Sequence, residues 1–506
     1  MSNGLPINTI IAGDCLEVMR EWPDNSVHCV VTSPPYWGLR DYGIEPSVWA
    51  SPQAASDQWM ACEHEWGEEL PGRQRDNQHV DVAPGNKGGG AKHSIENQST
   101  RSSGEFCSKC GAWRGSYGLE PTPTLFVEHT VTIFREVRRV LRDDGTLWLN
   151  LADSYCSTAP GTRMAGNSAT STLIRHARLD AQDAERRKNT RPQTPPGLKP
   201  KDLVGIPWCV AFALQADGWY LRQDIIWHKP NPMPESVSDR CTKAHEYIFL
   251  LTKSPRYFYD NDAIREPHAE PDRGHGESEV YNEYQTTDRD MVEGRQFSRR
   301  GVQVRLYNPS GRNKRSVWTV PTAPFKEAHF ATFPPELVRP CIRAGTSAKG
   351  CCPKCGAPWE RVLDKTRVAT GPGEKTKIKV PGGWDVTPGA HGTIHREGRT
   401  EATYRDTSEV GNRDPGRHVT ESTTIGWEPS CSCNAGDPVP CVVLDPFGGS
   451  GTTGMVAAQE HRDYVMIERN PKYVEMAKTT RLAAVETGVP AAETKAGQLA
   501  LFGATP

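Results

Sequence analysis

Short runs of β-branched and aliphatic residues recur along the chain, each bounded by polar residues, glycine or proline. The clearest runs are His28–Thr32, Val442–Leu444 and Tyr464–Ile467. Continuous apolar runs of this length are typical of strands that are buried on both faces, as in a parallel sheet. The pattern therefore predicts an α/β fold with these strands at its centre.

Other elements follow from the spacing of apolar positions. Phe134, Val137 and Val140 lie at helical spacing, and Asp143-Asp144-Gly145 ends the predicted helix before a strand at Thr146–Leu151. The remaining predicted elements are strands at Ile7–Asp14, Asp224–Trp227 and Tyr247–Leu251, and helices at about Cys15–Trp22, Pro207–Gln215 and Pro471–Ala484, with one more ending near Ala344.

The run His28–Thr32 leads directly into Ser33-Pro34-Pro35-Tyr36. Two consecutive prolines fix φ near about −65° and remove two N–H donors, so backbone carbonyls at the end of the strand point into a cleft. Ser33 Oγ and the Pro34 carbonyl can accept two hydrogen bonds from one ligand group, such as the exocyclic NH2 of a nucleobase. Tyr36 can stack on the ring of that base. A turn that simply ends a strand is the alternative.

A second strand-and-turn pattern lies near the other end of the chain. The run Val442–Leu444 continues into a glycine loop in which Gly449, Gly451 and Gly454 satisfy G-x-G-x-x-G. The next strand ends in Glu468, where an acidic side chain can accept hydrogen bonds from ribose hydroxyls. These features predict an adenosine-containing cofactor, and both NAD and S-adenosylmethionine fit them.

The two motifs together resemble the amino-group DNA methyltransferases. The matching segments are Ser33-Pro34-Pro35-Tyr36 and Asp445-Pro446-Phe447-Gly448-Gly449-Ser450-Gly451-Thr452-Thr453-Gly454. The resemblance implies a doubly wound, Rossmann-like sheet in which the glycine loop binds S-adenosylmethionine and the Ser33–Tyr36 segment holds a flipped base. The catalytic motif precedes the cofactor loop, as in the circularly permuted beta group. The implied cofactor contacts in the C-terminal part are Asp445, Phe447, Gly449, Ser450, Gly451 and Glu468.

The resemblance assigns two further cofactor contacts. Asp14 matches a residue that contacts the adenine amino group, and Phe333 lies in a segment that contacts the methionine end. Asp14 is also a favourable helix N-cap, and the two roles are compatible because the cap lies at the carboxyl end of a strand.

Composition and charge narrow the function classes. The chain has 506 residues and a net charge of −2, so no global basic field attracts nucleic acid and any DNA-binding patch must be local. No run approaches the roughly 20 apolar residues of a membrane span. The sequence begins without a basic, apolar leader, and we expect a cytoplasmic protein.

Fifteen cysteines include two clusters with metal-binding spacing. Cys62 and His64 with Cys107 and Cys110 predict one zinc site. A second site is predicted from Cys352, Cys355, Cys431 and Cys433, with Cys351 left over. Each set has four protein ligands and no open position, so both sites are expected to be structural. Free thiols in a loop are the alternative for the first cluster.

The motifs divide the chain into a core interrupted by insertions. The predicted segments are 1–46 (first part of the core), 47–119 (first zinc module), 120–262 (core, with a loop at 158–199), 263–316 (target recognition), 317–349 (cofactor contact), 350–436 (second zinc module), 437–485 (cofactor-binding half) and 486–506 (tail). Arginines are frequent in 263–316 and suit contacts to phosphate and guanine, although an arginine-rich loop without DNA contacts has the same composition.

The sequence therefore predicts a site-specific enzyme that flips a base out of double-stranded DNA and transfers the methyl group of S-adenosylmethionine to cytosine N4. Serine in the leading position of Ser33–Tyr36 favours cytosine within the family, and adenine N6 is the alternative. A catalytically inactive zinc-ribbon DNA-binding protein is an alternative of another class. A nicotinamide oxidoreductase is the least favoured alternative, because that activity would not use the Ser33–Tyr36 segment. A cognate restriction endonuclease is an expected partner, unless the enzyme acts alone.

Overall fold

The computed structural model describes most of the chain outside several polar segments. The described residues are 4–38, 43–50, 61–68, 70, 104–156, 197–267, 311–322, 334–369, 378–379, 385–386 and 418–486. Most of the predicted loop 158–199, most of the predicted recognition segment 263–316, and Phe333 lie outside them. Within these ranges, no helix is long and apolar enough to cross a bilayer.

The described strands are numbered in chain order. They are β1 (Thr9–Ala12), β2 (Val27–Thr32), β3 (Ser47–Trp49), β4 (Glu105–Phe106), β5 (Trp113–Gly115), β6 (Leu141–Leu151), β7 (Tyr220–His228), β8 (His245–Thr252), β9 (Val317–Thr319), β10 (Trp359–Ala369), β11 (Ile378–Lys379), β12 (Asp385–Val386), β13 (His418–Pro429), β14 (Val442–Asp445) and β15 (Asp463–Glu468).

The described helices are fewer than the described strands. They are α1 (Cys15–Arg20), α2 (Pro123–Val140), α3 (Ile206–Ala216), α4 (Pro335–Gly345), α5 (Thr452–Gln459), α6 (Pro471–Ala477) and α7 (Ala483–Glu486). A short 3-10 turn covers Asp262–Ile264, and a π-helical segment, Lys478–Leu482, joins α6 to α7.

Eight strands form one sheet in the order β1-β15-β14-β2-β6-β8-β7-β9. The first five are parallel, β8 runs antiparallel to both β6 and β7, and β9 is parallel to β7. The two ends of the chain meet here, because β1 pairs with β15 and β14 pairs with β2. This sheet confirms the predicted Rossmann-like α/β class and its permuted order.

Helices cover both faces of the sheet. Leu147, Leu149 and Leu151 of β6 belong to a core cluster with residues of α2 and α3. The alternate side of the same strand faces α4, where a Cβ on Gly345 would lie 2.4 Å from Thr146 Oγ1. Since side chains alternate along a strand, helices on both faces explain why all six residues of β2 are buried.

Helix α2 begins earlier and β6 is longer than the periodicity predicts. The helix starts at Pro123, after Thr122 caps it by accepting the Leu125 amide hydrogen at 3.2 Å. Proline at the first position of a helix is favourable because its missing N–H needs no partner there. The strand starts at Leu141, directly after the helix, rather than at Thr146. The predicted Asp143–Gly145 stop is therefore part of the strand.

The chain divides into two compact units by its contacts. The first contains Met1–Ala263, Arg315–Glu360 and Pro429–Pro506, and includes the eight-stranded sheet. The second contains Ile264–Lys314 and Arg361–Glu428. Within the second, β11 and β12 form an antiparallel pair, and the Arg361 guanidinium lies over the Trp427 ring at 4.5 Å.

Candidate active site

The Ser33–Tyr36 segment leaves the carboxyl end of β2. Pro34 is buried, whereas Ser33 and Tyr36 are half-buried. The following Trp37 is buried and donates its indole N–H to the Glu120 carbonyl at 2.8 Å. Trp37 therefore anchors the turn by packing, which leaves Ser33 and Tyr36 as the polar groups that the turn presents.

A chain of hydrogen bonds runs from Ser33 through Tyr36 to two strands of the sheet. Ser33 Oγ donates to the Tyr36 hydroxyl at 3.1 Å. That hydroxyl lies 2.8 Å from Glu246 Oε2 at the start of β8 and 3.0 Å from Asn150 Oδ1 at the end of β6. The Asn150 amide is oriented by donating to the Tyr247 carbonyl at 3.0 Å.

Glu246 is also paired with a cation. Lys229, directly after β7, forms an ion pair with Glu246 Oε1, and its ammonium group lies 4.2 Å from the centroid of the Trp227 ring. The sequence motifs gave Glu246 no role. A glutamate at the start of a strand carries no local signal, because its contact with Tyr36 joins residues 210 positions apart.

Asp445 ends β14 beside the end of β2. Its Oδ1 accepts hydrogen bonds from Thr32 Oγ1 at 2.7 Å and from the Phe447 amide at 3.1 Å. Its Oδ2 accepts from Thr453 Oγ1 at 2.7 Å. Burial raises the pKa of Asp445 to about 6, although these hydrogen bonds oppose the shift. Asp445 thus fixes the start of the glycine loop.

The glycine loop needs backbone conformations and close contacts that only glycine tolerates. Gly451 precedes α5 with φ +85°, and a Cβ there would lie 3.0 Å from Ala477 Cβ. Gly449 has φ +50°, and its amide donates to Glu468 Oε2 at 2.8 Å. Ser450 is buried beside Thr452. The loop is therefore a tight turn with its backbone open to close approach.

Asp14 and Glu468 lie at the neighbouring carboxyl ends of β1 and β15. Ala12 is the register partner of Glu468, and the Gly13 amide donates to the Glu468 carbonyl at 3.1 Å. Asp14 caps α1 by accepting the Leu16 amide hydrogen at 2.9 Å. Burial raises the pKa of Glu468, and the hydrogen bonds from the Asn470 and Gly449 amides oppose this. Two carboxylates thus stand together at the edge where an adenosine is expected.

Two contacts at this edge were not predicted from sequence. Arg469 lies 3.4 Å from Asp14 Oδ2 and also donates to Ser47 Oγ of β3. Tyr117 stacks on Phe447 with ring centroids 5.8 Å apart. Both contacts bring residues of the predicted first insertion to the cofactor side of the sheet, and neither has a local sequence signal.

The structure brings together each predicted set of metal ligands. The donor atoms of Cys62, His64, Cys107 and Cys110 all lie within 4.8 Å of one another, as do those of Cys352, Cys355, Cys431 and Cys433. Four sulfur ligands around zinc stand about 3.8 Å apart when each Zn–S bond is about 2.3 Å. Both sets therefore fit a tetrahedral zinc ion.

A third cluster combines His28, Cys351 and Cys441, all of them buried. His28 Nδ1 accepts the Val442 amide hydrogen at 3.0 Å, and Nε2 lies 2.9 Å from the Gly356 carbonyl. A neutral imidazole with its proton on Nε2 satisfies both contacts. The ring therefore joins β2 to β14 and to the turn after Cys355, and it offers no lone pair to a metal in this arrangement.

Comparison with known proteins identifies the family. The model of the N6/N4 methyltransferase family, described as DNA methylase, matches residues 27–352 and 431–479. The chain belongs to this family. The match includes the Ser33–Tyr36 segment and the glycine loop. It omits residues 353–430, most of which lie between Cys355 and Cys431.

Three curated relatives of the methylase are type II methyltransferases. M.Cfr9I of Citrobacter freundii is 33% identical over 95% of this chain and 89% of its own length. M.XycI of Xanthomonas campestris pv. cyanopsidis is 34% identical over 93% and 86%. M.SmaI of Serratia marcescens is 34% identical over 67% and 76%. These matches and the family model confirm the resemblance found in the sequence, and the methylase is an S-adenosylmethionine-dependent DNA methyltransferase.

Proposed function

We propose that this methylase transfers a methyl group to the exocyclic N4 of cytosine at a specific sequence in double-stranded DNA. The observation that carries the proposal is the adjacency of the two motifs. The catalytic turn and the glycine loop leave neighbouring parallel strands, joined by the Thr32–Asp445 hydrogen bond. Ligands held by the two motifs therefore share one crevice at the carboxyl ends of the strands.

Ser33 and Pro34 orient the amino group. An exocyclic NH2 is a poor nucleophile because its lone pair is conjugated with the ring. Hydrogen bonds from its two N–H groups to Ser33 Oγ and to the Pro34 carbonyl favour a pyramidal nitrogen. The lone pair of that nitrogen is then directed toward the cofactor. Pro35 holds the turn rigid, and Tyr36 stacks on the flipped base. Positioning then supplies most of the acceleration, and no nucleophilic cysteine is required.

The cofactor side fits S-adenosylmethionine by its donor set. The cofactor supplies an electrophilic sulfonium methyl. We propose that Glu468 accepts hydrogen bonds from the ribose hydroxyls and that Asp14 accepts one from the adenine amino group. The backbone of Gly449, Ser450 and Gly451 is proposed to lie against the ligand. Asp445 and Phe447 shape the entry to the loop, since Asp445 receives three hydrogen bonds and Phe447 stacks on Tyr117. Phe333, outside the described residues, is proposed to contact the methionine end.

The choice of cytosine rests on serine at position 33, and adenine N6 is the alternative. The test is mass spectrometry of nucleosides from DNA of cells that express the methylase. We expect N4-methylcytosine. N6-methyladenine without methylcytosine would reverse the order of the two bases, whereas cofactor binding with no methylated base would favour an inactive DNA-binding protein.

Both four-ligand clusters are proposed to hold structural zinc. In each cluster, two ligands come from one stretch of the chain and two from another. A bound metal would hold the two stretches together, which matters because the segments between them contain few aliphatic residues to form a core. A site with four protein ligands has no open position for water, which excludes a direct role in methyl transfer.

The partners follow from the proposed reaction. Residues 263–316 are proposed to read the target sequence, with the zinc modules sharing the task. A cognate restriction endonuclease is a proposed partner because the curated relatives are type II methyltransferases. We propose a cytoplasmic location, which a DNA substrate and thiolate metal ligands both favour. Methylation-sensitive sequencing of host DNA would identify the target site.

A further inference from the structure

We propose that Glu246 is a positioning residue that sets the direction of the Ser33 hydroxyl, so that Ser33 Oγ presents lone pairs, and not its proton, to the amino group of the base. This inference rests on the proposed transfer to an amino nitrogen. It concerns a residue that the sequence motifs leave without a task.

The direction of the chain follows from the kinds of groups in it. A carboxylate only accepts hydrogen bonds, so the Tyr36 hydroxyl must donate to Glu246, 2.8 Å away. Asn150 Oδ1, at 3.0 Å, is a second acceptor within reach of the same hydroxyl. The single phenolic proton is therefore used on these acceptors.

The Tyr36 oxygen consequently acts as an acceptor toward Ser33. Ser33 Oγ donates to it at 3.1 Å. A serine hydroxyl has one proton and two lone pairs, and once the proton is used on Tyr36 only lone pairs remain. Those lone pairs suit the N–H of an exocyclic amino group, whereas a proton directed at the same place would repel it.

Lys229 fixes the orientation of the carboxylate. It occupies Glu246 Oε1, so Oε2 faces Tyr36. Lys229 and Glu246 are largely buried, with side-chain exposures of 17% and 13%. Partial burial strengthens the electrostatic preference, because few water molecules compete for these groups.

The substitution Glu246→Gln tests the proposal without changing the size of the side chain. Lys229 is expected to keep the amide oxygen, which leaves the amide NH2 to donate to the Tyr36 oxygen. The amide would then compete with Ser33 for that oxygen. We expect kcat to fall about tenfold, the order of one hydrogen bond to a charged group, with KM for DNA and cofactor within about twofold.

A double-mutant cycle separates this role from a structural one. In a Tyr36→Phe background the hydroxyl is absent, so adding Glu246→Gln should lower kcat no further. An equal loss in both backgrounds, or full activity of the single Glu246→Gln variant, would overturn the proposal. Asp239→Asn is the matched control, since Asp239 pairs with Lys201 at 2.6 Å on the exposed surface and should leave kcat unchanged.

Two further outcomes are informative. If Glu246→Gln does not fold, Tyr36→Phe alone decides: about a tenfold fall in kcat with unchanged KM for DNA is expected, and wild-type kcat contradicts the relay. If the wild-type enzyme methylates no amino nitrogen, the proposed function fails. If it does so and the cycle shows no coupling, only the role of Glu246 fails.

Discussion

Thr32 Oγ1 donates a hydrogen bond to Asp445 Oδ1 at 2.7 Å, and this contact joins two residues 413 positions apart in sequence. Thr32 is the last residue of β2, and Asp445 is the last residue of β14. The catalytic turn begins one residue after Thr32, and the glycine loop follows Asp445. The bond therefore fixes the distance between the starting points of the two motifs.

Replacing Asp445 with asparagine should change how stability depends on pH. In the folded state the pKa of Asp445 is about 6, whereas the ordinary pKa of an aspartate is 3.8. Folding thus binds a proton between these values, and the unfolding free energy falls as pH rises through this window, by about 3 kcal/mol from this group. Urea denaturation of the wild type and Asp445→Asn between pH 4 and about 7 should show this slope only in the wild type. Parallel profiles would contradict the buried titration.

Ser33→Ala should reduce methyl transfer without weakening cofactor binding. The substitution removes one of the two proposed acceptors for the amino group, which is worth about 1.5–3 kcal/mol when charge develops in the reaction. We expect kcat to fall roughly tenfold to a hundredfold, with the dissociation constant for S-adenosylmethionine unchanged in calorimetry. Ser238→Ala, at an exposed position, is the control. Wild-type kcat for Ser33→Ala would remove Ser33 from the mechanism.

Gly451→Ala should weaken cofactor binding and destabilise the fold. The position has φ +85°, and the new methyl group would lie 3.0 Å from Ala477 Cβ. Strain of this kind costs about 1–3 kcal/mol, and relief by moving the loop would disturb the backbone that meets the cofactor. Thermal unfolding and calorimetry measure the two effects. Gly426→Ala, where an added Cβ meets nothing within 4 Å, should change neither.

The two cysteine clusters should each bind one zinc ion. Elemental analysis of the purified protein is expected to give about two zinc ions per chain. Cys110→Ser and Cys433→Ser should each remove about one, because each loses a ligand from a different cluster. Cys241→Ser, an exposed thiol outside both clusters, should keep both ions. Two retained ions in either ligand variant would refute that assignment.

Local chemistry made several parts of this protein predictable. The continuous apolar runs identified β2, β14 and β15 as strands. This prediction was correct because strands that are buried on both faces need such runs. Boundaries were less accurate: α2 starts at Pro123, well before Phe134, the first apolar position used to predict it. A cap and a proline define its start, and the apolar periodicity does not. Cysteine spacing also selected both ligand sets that the fold brings together.

The sequence by itself determined the class of fold, the two motifs and the ligand types, because these depend on side-chain chemistry and on neighbours within a few residues. Only the tertiary structure decided which distant residues act together. Glu246 and Asn150 contact Tyr36, and Lys229 contacts Glu246, because β6 and β7 end, and β8 begins, at the edge of the sheet where β2 ends. Tyr117 likewise contacts Phe447, far away in sequence. Such contacts depend on strand order and register, which are set by packing over the whole sheet and leave no signal in any local stretch of the chain.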